Sequence, residues 1–523
     1  MVSAAADADE PDPDRRSVLG GLTTGAILGT TAYAIPQPAA AASPSDIVMM
    51  DAASLESVIH SRKASCVEVM SAYLDHVERV NAKVNAIVAL QDRAQLLAQA
   101  RERDAELARG ESKGPLHGFP HAVKDLLPVK GIRSTWGSPL LKNFVPAADS
   151  LLVERLRNAG AIIIGKTNAP EFGLGSHTYN PVYGATLNAY DQSRSAGGSS
   201  GGAAVALALR MLPLADGSDY GGSLRNPAGW NNVLGFRTSF GRVPVDGLDV
   251  WLPSMGVAGP MARNVSDLAM LLSVLAGFDP RAPLSMDDDA SIFQRRRLER
   301  EFKGTRIAWV GDFKGYTPCE PELIEVCKSA LKAFESIGCV VEEAVPDYPL
   351  DAVWRAVMKL RAWQAGSGLL AFYNDPAKRA LLKPEVIYEV ESGLKLSAYE
   401  VTAASVVRTE WYKAVRAFFE RYDYFVAPTA QVFPFDVNMR WPQEIAGRKM
   451  ETYHEWMKGM LLITMSGGPA LAVPAGFSSR GLPIGIQIVA PNHDELGCLE
   501  LAYAYELATN WTNTHLPSLL RPT

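Results

Sequence analysis

Two glycine-rich segments carry serines where backbone N–H groups are bare. The first is Gly197-Gly198-Ser199-Ser200-Gly201-Gly202, which runs into Ala203-Ala204-Val205-Ala206-Leu207-Ala208-Leu209. The second is Asp216-Gly217-Ser218-Asp219-Tyr220-Gly221-Gly222-Ser223-Leu224-Arg225. Glycine permits positive φ and close approach of a ligand. Consecutive N–H groups in such a loop form an anion-binding nest, suited to a phosphate or to the oxyanion of an acyl-transfer intermediate. A phosphate-binding P-loop needs GxxxxGK[ST], and its lysine is absent. Gly197–Gly201 and Gly198–Gly202 both match GxSxG, but the preceding Asn188-Ala189-Tyr190-Asp191-Gln192-Ser193-Arg194-Ser195 is polar and reads as a loop. A nucleophile elbow requires a strand there. What remains is a serine hydrolase whose base is not histidine. Tight helix starts alone would not account for two such serine loops so close together.

A base is available upstream in Gly118-Phe119-Pro120-His121-Ala122-Val123-Lys124-Asp125-Leu126-Leu127. Read as a strand, Ala122, Lys124 and Leu126 share one face. A charged lysine on an apolar face is costly, and burial lowers its pKa until the neutral amine serves as a base near pH 7. The plainer reading is a strand-end lysine that reaches out to water. His121 and His177 sit in no catalytic motif and read as structural.

These residues need a scaffold. Residues 52–109 show helical periodicity, with Val69, Tyr73, Val77, Val80 and Val84 at helical spacing, closed by Gly110, Gly114 and Pro115. Short apolar runs then alternate with helices. The expected strands are Ala122–Leu126, Ala161–Gly165, Met211–Asp216, Arg306–Val310, Cys339–Glu343, Tyr424–Ala427, Ala470–Pro474 and Gly485–Val489. This alternation predicts an α/β fold, a sheet with helices on both faces, in a single large domain over 46–523. Residues 351–421 read as helical, with Trp354, Trp363, Phe372, Tyr373, Tyr388 and Trp411 among them. They suit a packed layer or a cap over an apolar pocket.

Composition narrows the function class. The 523 residues contain 51 Lys+Arg and 57 Asp+Glu, a net charge of −6, with 47% hydrophobic residues. That is globular, and without a basic tract it argues against nucleic-acid binding. The five cysteines form no CxxC, and the eight histidines form no HExxH. Neither a metal nor another cofactor is expected. Residues 1–45 stand apart. Arg15-Arg16-Ser17-Val18-Leu19 precedes a weakly apolar run to Ile35, then Ala39-Ala40-Ala41-Ala42-Ser43. This reads as a twin-arginine export signal, placing the mature protein in the periplasm or outside the cell, although the acidic stretch Asp7 to Asp14 is atypical. The alternatives are a low-complexity tail and a cytoplasmic protein. No later stretch has about 18 consecutive apolar residues, so no stable membrane insertion of the mature chain is expected.

The ordered motifs resemble the amidase signature family. The resemblance rests on the lysine strand, the Gly197–Gly202 loop, Asp219 to Ala228, Gly235 to Val243 and Gly259 to Leu268. It extends to Gly165-Lys166-Thr167-Asn168, Gly184 to Asn188, Val426-Ala427-Pro428-Thr429 and Pro483 to Ile488. It covers residues 52 to 507 and implies that family's fold, a large mixed central sheet flanked by helices. It also implies a Ser–cis-Ser–Lys triad: Lys124 as base, Ser199 as the bridge behind a cis peptide to Gly198, and Ser223 as nucleophile. The backbone N–H groups of Tyr220, Gly221, Gly222 and Ser223 would form the oxyanion hole. Asp219 and Arg225 would pair to hold the loop, and Ser200 would support the relay. The implied reaction is hydrolysis of an amide C–N bond through a Ser223 acyl-enzyme.

Three positions depart from common family patterns: Tyr220 replaces a smaller residue, Ala189 a proline and Thr464 an asparagine. The expected partner is a small amide, and the aromatic 351–421 segment with Trp251 suggests a mostly apolar, aryl or cyclic one. A component of a glutamine amidotransferase and a catalytically silent binding homologue are the alternatives. Whether the chain forms a homodimer is left open.

Overall fold

Local signals set the first helices. Ser65 caps Cys66–Val80, and Glu68 completes a capping box by accepting from the Ser65 N–H. Ala52–His60 and Arg93–Ala108 follow the helical reading of residues 52–109, but Ile87–Val88 between them departs from it and forms a short strand. The computed structural model describes residues 44–252, 254–294 and 298–520. Of the expected export signal and tail, residues 1–45, all but Pro44 and Ser45 lie outside the described residues, and those two begin helix Pro44–Met49.

The framework is a mixed eight-stranded sheet. In spatial order its strands are Val340–Glu343, Arg306–Trp309, Tyr424–Pro428, Pro483–Val489, Ala470–Phe477, Leu234–Arg237, Val257–Ala262 and Ala215–Asp219. Arg306–Trp309 runs parallel to both its neighbours, and the remaining pairs are antiparallel. Helices Arg225–Trp230, Val265–Leu275, Pro321–Ser336 and Glu495–Thr509 pack against it. Helix Gly201–Ala208 is buried along its whole length, as a helix apolar on every side must be.

Six of the expected strands form in this sheet. The expected Met211–Asp216 strand is shifted and runs Ala215–Asp219, so it ends where the second glycine-rich segment leaves the sheet. Leu234–Arg237 and Val257–Ala262 were not expected. The other two expected strands, Pro120–Lys124 and Ile162–Thr167, lie parallel in a separate three-stranded sheet with Ile87–Val88. The lysine strand stops at Lys124 because the chain turns there, with Leu126 N–H donating to the Lys124 carbonyl at 2.7 Å. Residues 351–421 are helical as expected: Leu350–Tyr373, Pro376–Arg379, Pro384–Gly393 and Ala398–Phe418. No helix among the described residues is long and apolar enough to cross a membrane.

Candidate active site

The two glycine-rich segments and the lysine strand converge. Strand Ala215–Asp219 delivers Ser218 and feeds the turn carrying Ser223, while Ser199 and Ser200 precede helix Gly201–Ala208. The Ser200 N–H donates to the Ser223 carbonyl at 3.1 Å, tying the loops together. The Gly198 N–H donates to Asn226 Oδ1 at 3.2 Å, and the Gly198–Ser199 peptide is cis. Gly222 has φ +108°, and a Cβ there would lie 2.8 Å from the Met460 side chain. Only glycine meets both conditions.

Lys124 is fully buried. Its Nζ lies 2.8 Å from Ser199 Oγ, 2.7 Å from Ser200 Oγ, and 3.0 and 3.2 Å from the Ser218 hydroxyl and carbonyl oxygens. A lysine reaching out to water is therefore not what the chain builds. Burial pushes the amine down from its ordinary 10.5 to about 7, against the opposing pull of Asp216 and Asp219. Asp216 also joins the two sheets. It accepts from the Lys124 backbone N–H at 3.2 Å and pairs with His121 Nε2 at 3.0 Å. His121 is thereby structural, as expected. His177 is too: it binds the Val437 carbonyl through Nε2 and the Ser195 hydroxyl through Nδ1.

Asp219 and Arg225 pair as expected, in a larger buried cluster. Arg225 donates to both Asp219 oxygens at 2.9 Å, to Gln487 Oε1 at 2.7 Å and to Thr464 Oγ1 at 2.8 Å. Thr464 thus fills with a hydroxyl the place of the more usual asparagine. Arg237 adds a bond to the Asp219 carbonyl at 2.8 Å. Burial alone would raise the Asp219 carboxyl, but Arg225 and Arg237 outweigh it and hold the group well below the usual range. One expectation for the loop changes. The Gly222 N–H is already donated to Asp219 Oδ1 at 2.9 Å, which takes it out of the set of free oxyanion donors. The N–H groups of Tyr220, Gly221 and Ser223 have no acceptor among the described residues.

Ser199, Ser218 and Ser223 line a cavity of about 300 Å³. Its apolar wall comes from Leu126, Phe172, Leu174 and Ala365, with Tyr220, Arg361 and Gln364 adding polar groups. Ser223 Oγ has no hydrogen-bond partner among the described residues. The expected aromatic lining differs. Trp251 is 64% exposed, and Trp411 is buried, donating to the Leu462 carbonyl. Of residues 351–421, those in the wall are Arg361, Gln364 and Ala365. Asp216 and Ser218 lie inside the second glycine-rich motif, but nothing in their spacing marks them as site residues, and Arg361 and Gln364 lie in no motif at all. Among the described residues no group of three or more His, Cys, Asp and Glu side chains is placed to hold a metal ion.

The profile of the Amidase family matches residues 68–499. The acylamidase of Rhodococcus erythropolis is 32% identical over 467 residues, spanning 89% of this chain and 96% of its own. A component of the glutamyl-tRNA(Gln) amidotransferase of Moorella thermoacetica is 34% identical over 489 residues, spanning 89% and 98%. A bacterial aryl acylamidase of the amidase signature family superposes with a TM-score of 0.84 at 27% identity, over 91% of this chain and 99% of its own. The chain belongs to the amidase signature family and is an amide hydrolase.

Proposed function

We propose that the protein is a self-sufficient amidase that hydrolyses a mostly apolar aryl or cyclic amide through an acyl-enzyme on Ser223. The observation that carries this reading is the buried Lys124 amine, 2.8 Å from Ser199 Oγ, in a cavity that Ser223 also lines. In the proposed sequence neutral Lys124 takes the Ser199 proton as Ser199 takes that of Ser223. The Ser223 oxygen bonds to the amide carbon. Free N–H groups of Tyr220, Gly221 and Ser223 receive the oxyanion, a contribution of about 3–4 kcal/mol per strong donor. The relay returns the proton to nitrogen, the C–N bond breaks, and water releases the acid by the same route.

The aryl and cyclic preference is supported by the apolar cavity wall and by structural likeness to the aryl acylamidase and to a 6-aminohexanoate cyclic dimer hydrolase, TM-score 0.78. The corresponding glutamyl-tRNA(Gln) amidotransferase component of Thermotoga maritima superposes less well, with a TM-score of 0.68. We also propose that Arg15-Arg16 directs export of the folded chain.

The test is amine release from an anilide, a cyclic amide and glutamine, together with labelling by a fluorophosphonate. Labelling on Ser223, abolished along with turnover in Ser223→Ala, is the expected result. An adduct on Ser200, or full activity in Ser223→Ala, overturns the nucleophile. Turnover of glutamine alone overturns the substrate class.

A further inference from the structure

The hydroxyls of Ser199, Ser200 and Ser218 all lie within hydrogen-bond distance of the Lys124 amine. The proposed relay uses the first. Ser200 Oγ is the nearest, at 2.7 Å, but Ser200 is fully buried and takes no part in the cavity wall. It is placed to hold the amine and not to meet a substrate. Ser218 differs. Its Oγ lies 3.0 Å from Nζ, and Ser218 lines the cavity beside Ser223. It is the half-buried residue of strand Ala215–Asp219, whose other four residues are buried. Residues two apart on a strand face the same way. Asp216 and Ser218 accordingly both meet Lys124, one at its backbone N–H and the other at its amine.

The Lys124 amine donates to Ser218 Oγ, and the Ser218 hydroxyl has no other hydrogen-bond partner among the described residues. A hydroxyl has one proton to give besides the bonds it accepts, so that proton is left for a group in the cavity. Amide cleavage calls for such a donor. The attacking oxygen loses a proton on one side of the carbonyl carbon, while the leaving nitrogen needs one at another position around it. A single hydroxyl serving both would have to turn from Ser223 to the nitrogen while the tetrahedral intermediate lasts.

Resting on the amidase reading above, we infer that Ser218 is a further catalytic residue, the hydroxyl through which Lys124 protonates the leaving nitrogen. The Ser223 proton reaches Lys124 through Ser199. As the C–N bond breaks, the nitrogen electron pair takes the Ser218 proton. The Lys124 ammonium replaces it and becomes a neutral amine again, so no other reactant is consumed. In deacylation water stands where the amine stood and the steps reverse. Its proton passes through Ser218 to Lys124, and one returns through Ser199 to the Ser223 oxygen as the acyl bond breaks.

The experiment compares 4-nitroacetanilide with 4-nitrophenyl acetate on the full-length enzyme. Both form the same acetyl-enzyme, but the anilide nitrogen must be protonated to leave and the nitrophenolate leaves without a proton. Ser218→Ala is expected to lower kcat/KM on the anilide about 10²-fold and to keep it within about threefold of wild type on the ester. On the ester its kcat should fall, with a burst of nitrophenolate, because release of the acetyl group also runs through Ser218. Ser218→Thr keeps a hydroxyl and should recover most of the anilide rate. Ser218→Gly, which also lacks the hydroxyl, gives the same comparison if the alanine chain does not fold. Equal losses of kcat/KM on the two substrates mean that Ser218 only holds the amine, and overturn the inference. Unchanged anilide hydrolysis in a variant without the hydroxyl overturns it too. In either case loss of both activities in Ser223→Ala would leave the amidase reading standing, whereas full activity in Ser223→Ala overturns both.

Discussion

The strongest test of the site is the pH dependence of its amine. Lys124 drops from 10.5 to about 7 because burial outweighs Asp216 and Asp219. The neutral fraction is then about one half at pH 7 and about 1% at pH 5, where an ordinary lysine has almost none at either pH. For free enzyme, kcat/KM on an anilide should therefore rise about tenfold per pH unit from pH 5, bend near pH 7 and flatten above pH 8. Lys124→Arg keeps the charge and cannot accept the proton, so activity should fall by about 10²–10⁴ with no recovery at pH 9. Ser199→Ala should impair turnover less completely, since water can occupy the hydroxyl's place, and its loss should not add to that of Lys124→Arg. The same displacement has a thermodynamic sign. Between about pH 7 and 10.5 the unfolded chain binds the proton that the folded chain has lost, so stability rises with pH across that window. Below it, burying the amine opposes folding by about 5 kcal/mol. Lys124→Met should thus raise the urea midpoint at pH 6 relative to wild type, with a gain that shrinks by pH 10. A rate profile flat from pH 5 to 9, or Lys124→Arg within tenfold of wild type, would refute the assignment of the base.

The buried cluster behind the Ser223 loop should also be measurable. Arg225→Ala leaves the Asp219 carboxylate buried with Arg237 as its remaining cation, and should cost about 3–5 kcal/mol in urea unfolding at pH 7. Arg225→Lys should recover little, because the paired bonds to Asp219 need the guanidinium fork. Since folding depresses the Asp219 pKa, this stabilisation is full above about pH 4 and is lost as pH falls below it, so the gap between Arg225→Ala and wild type should narrow in acid. For the proposed export, lysine at both Arg15 and Arg16 should hold precursor in the cytoplasm. The wild-type mature N-terminus should lie near Ala42 or Ser43, as N-terminal sequencing of the exported protein would show.

The groups proposed as catalytic were legible because their chemistry is local. Bare N–H groups, serines and a lysine on an apolar strand can be read from short stretches. The strands that hold them were less so. Val257–Ala262 contains Gly259-Pro260, a pair that reads as a strand breaker. On one side the ladder to Leu234–Arg237 stops before Pro260, and on the other Pro260 stays in register with Asp216 of the edge strand. Leu234–Arg237 is short and ends in a buried arginine whose partner, Asp219, lies on another strand. The diversion of Gly222 N–H to Asp219 depends on how the loop folds back on its own strand end. The part of the cavity wall made by Arg361, Gln364 and Ala365 could not be read at all, because no motif marks these residues and only the packing of helix Leu350–Tyr373 brings them there.

Asp216 stitches the lysine strand to the edge strand of the large sheet, and its charge pulls the neighbouring amine upward while burial pulls it down. Basicity is therefore a property of the closed assembly. If that seam parts and water enters, the amine returns toward its solution value, becomes ammonium at neutral pH and stops accepting protons. Under the proposed mechanism an incompletely folded or damaged copy is silent by default, so the hydrolytic hazard of the serine exists only while the scaffold around it is intact.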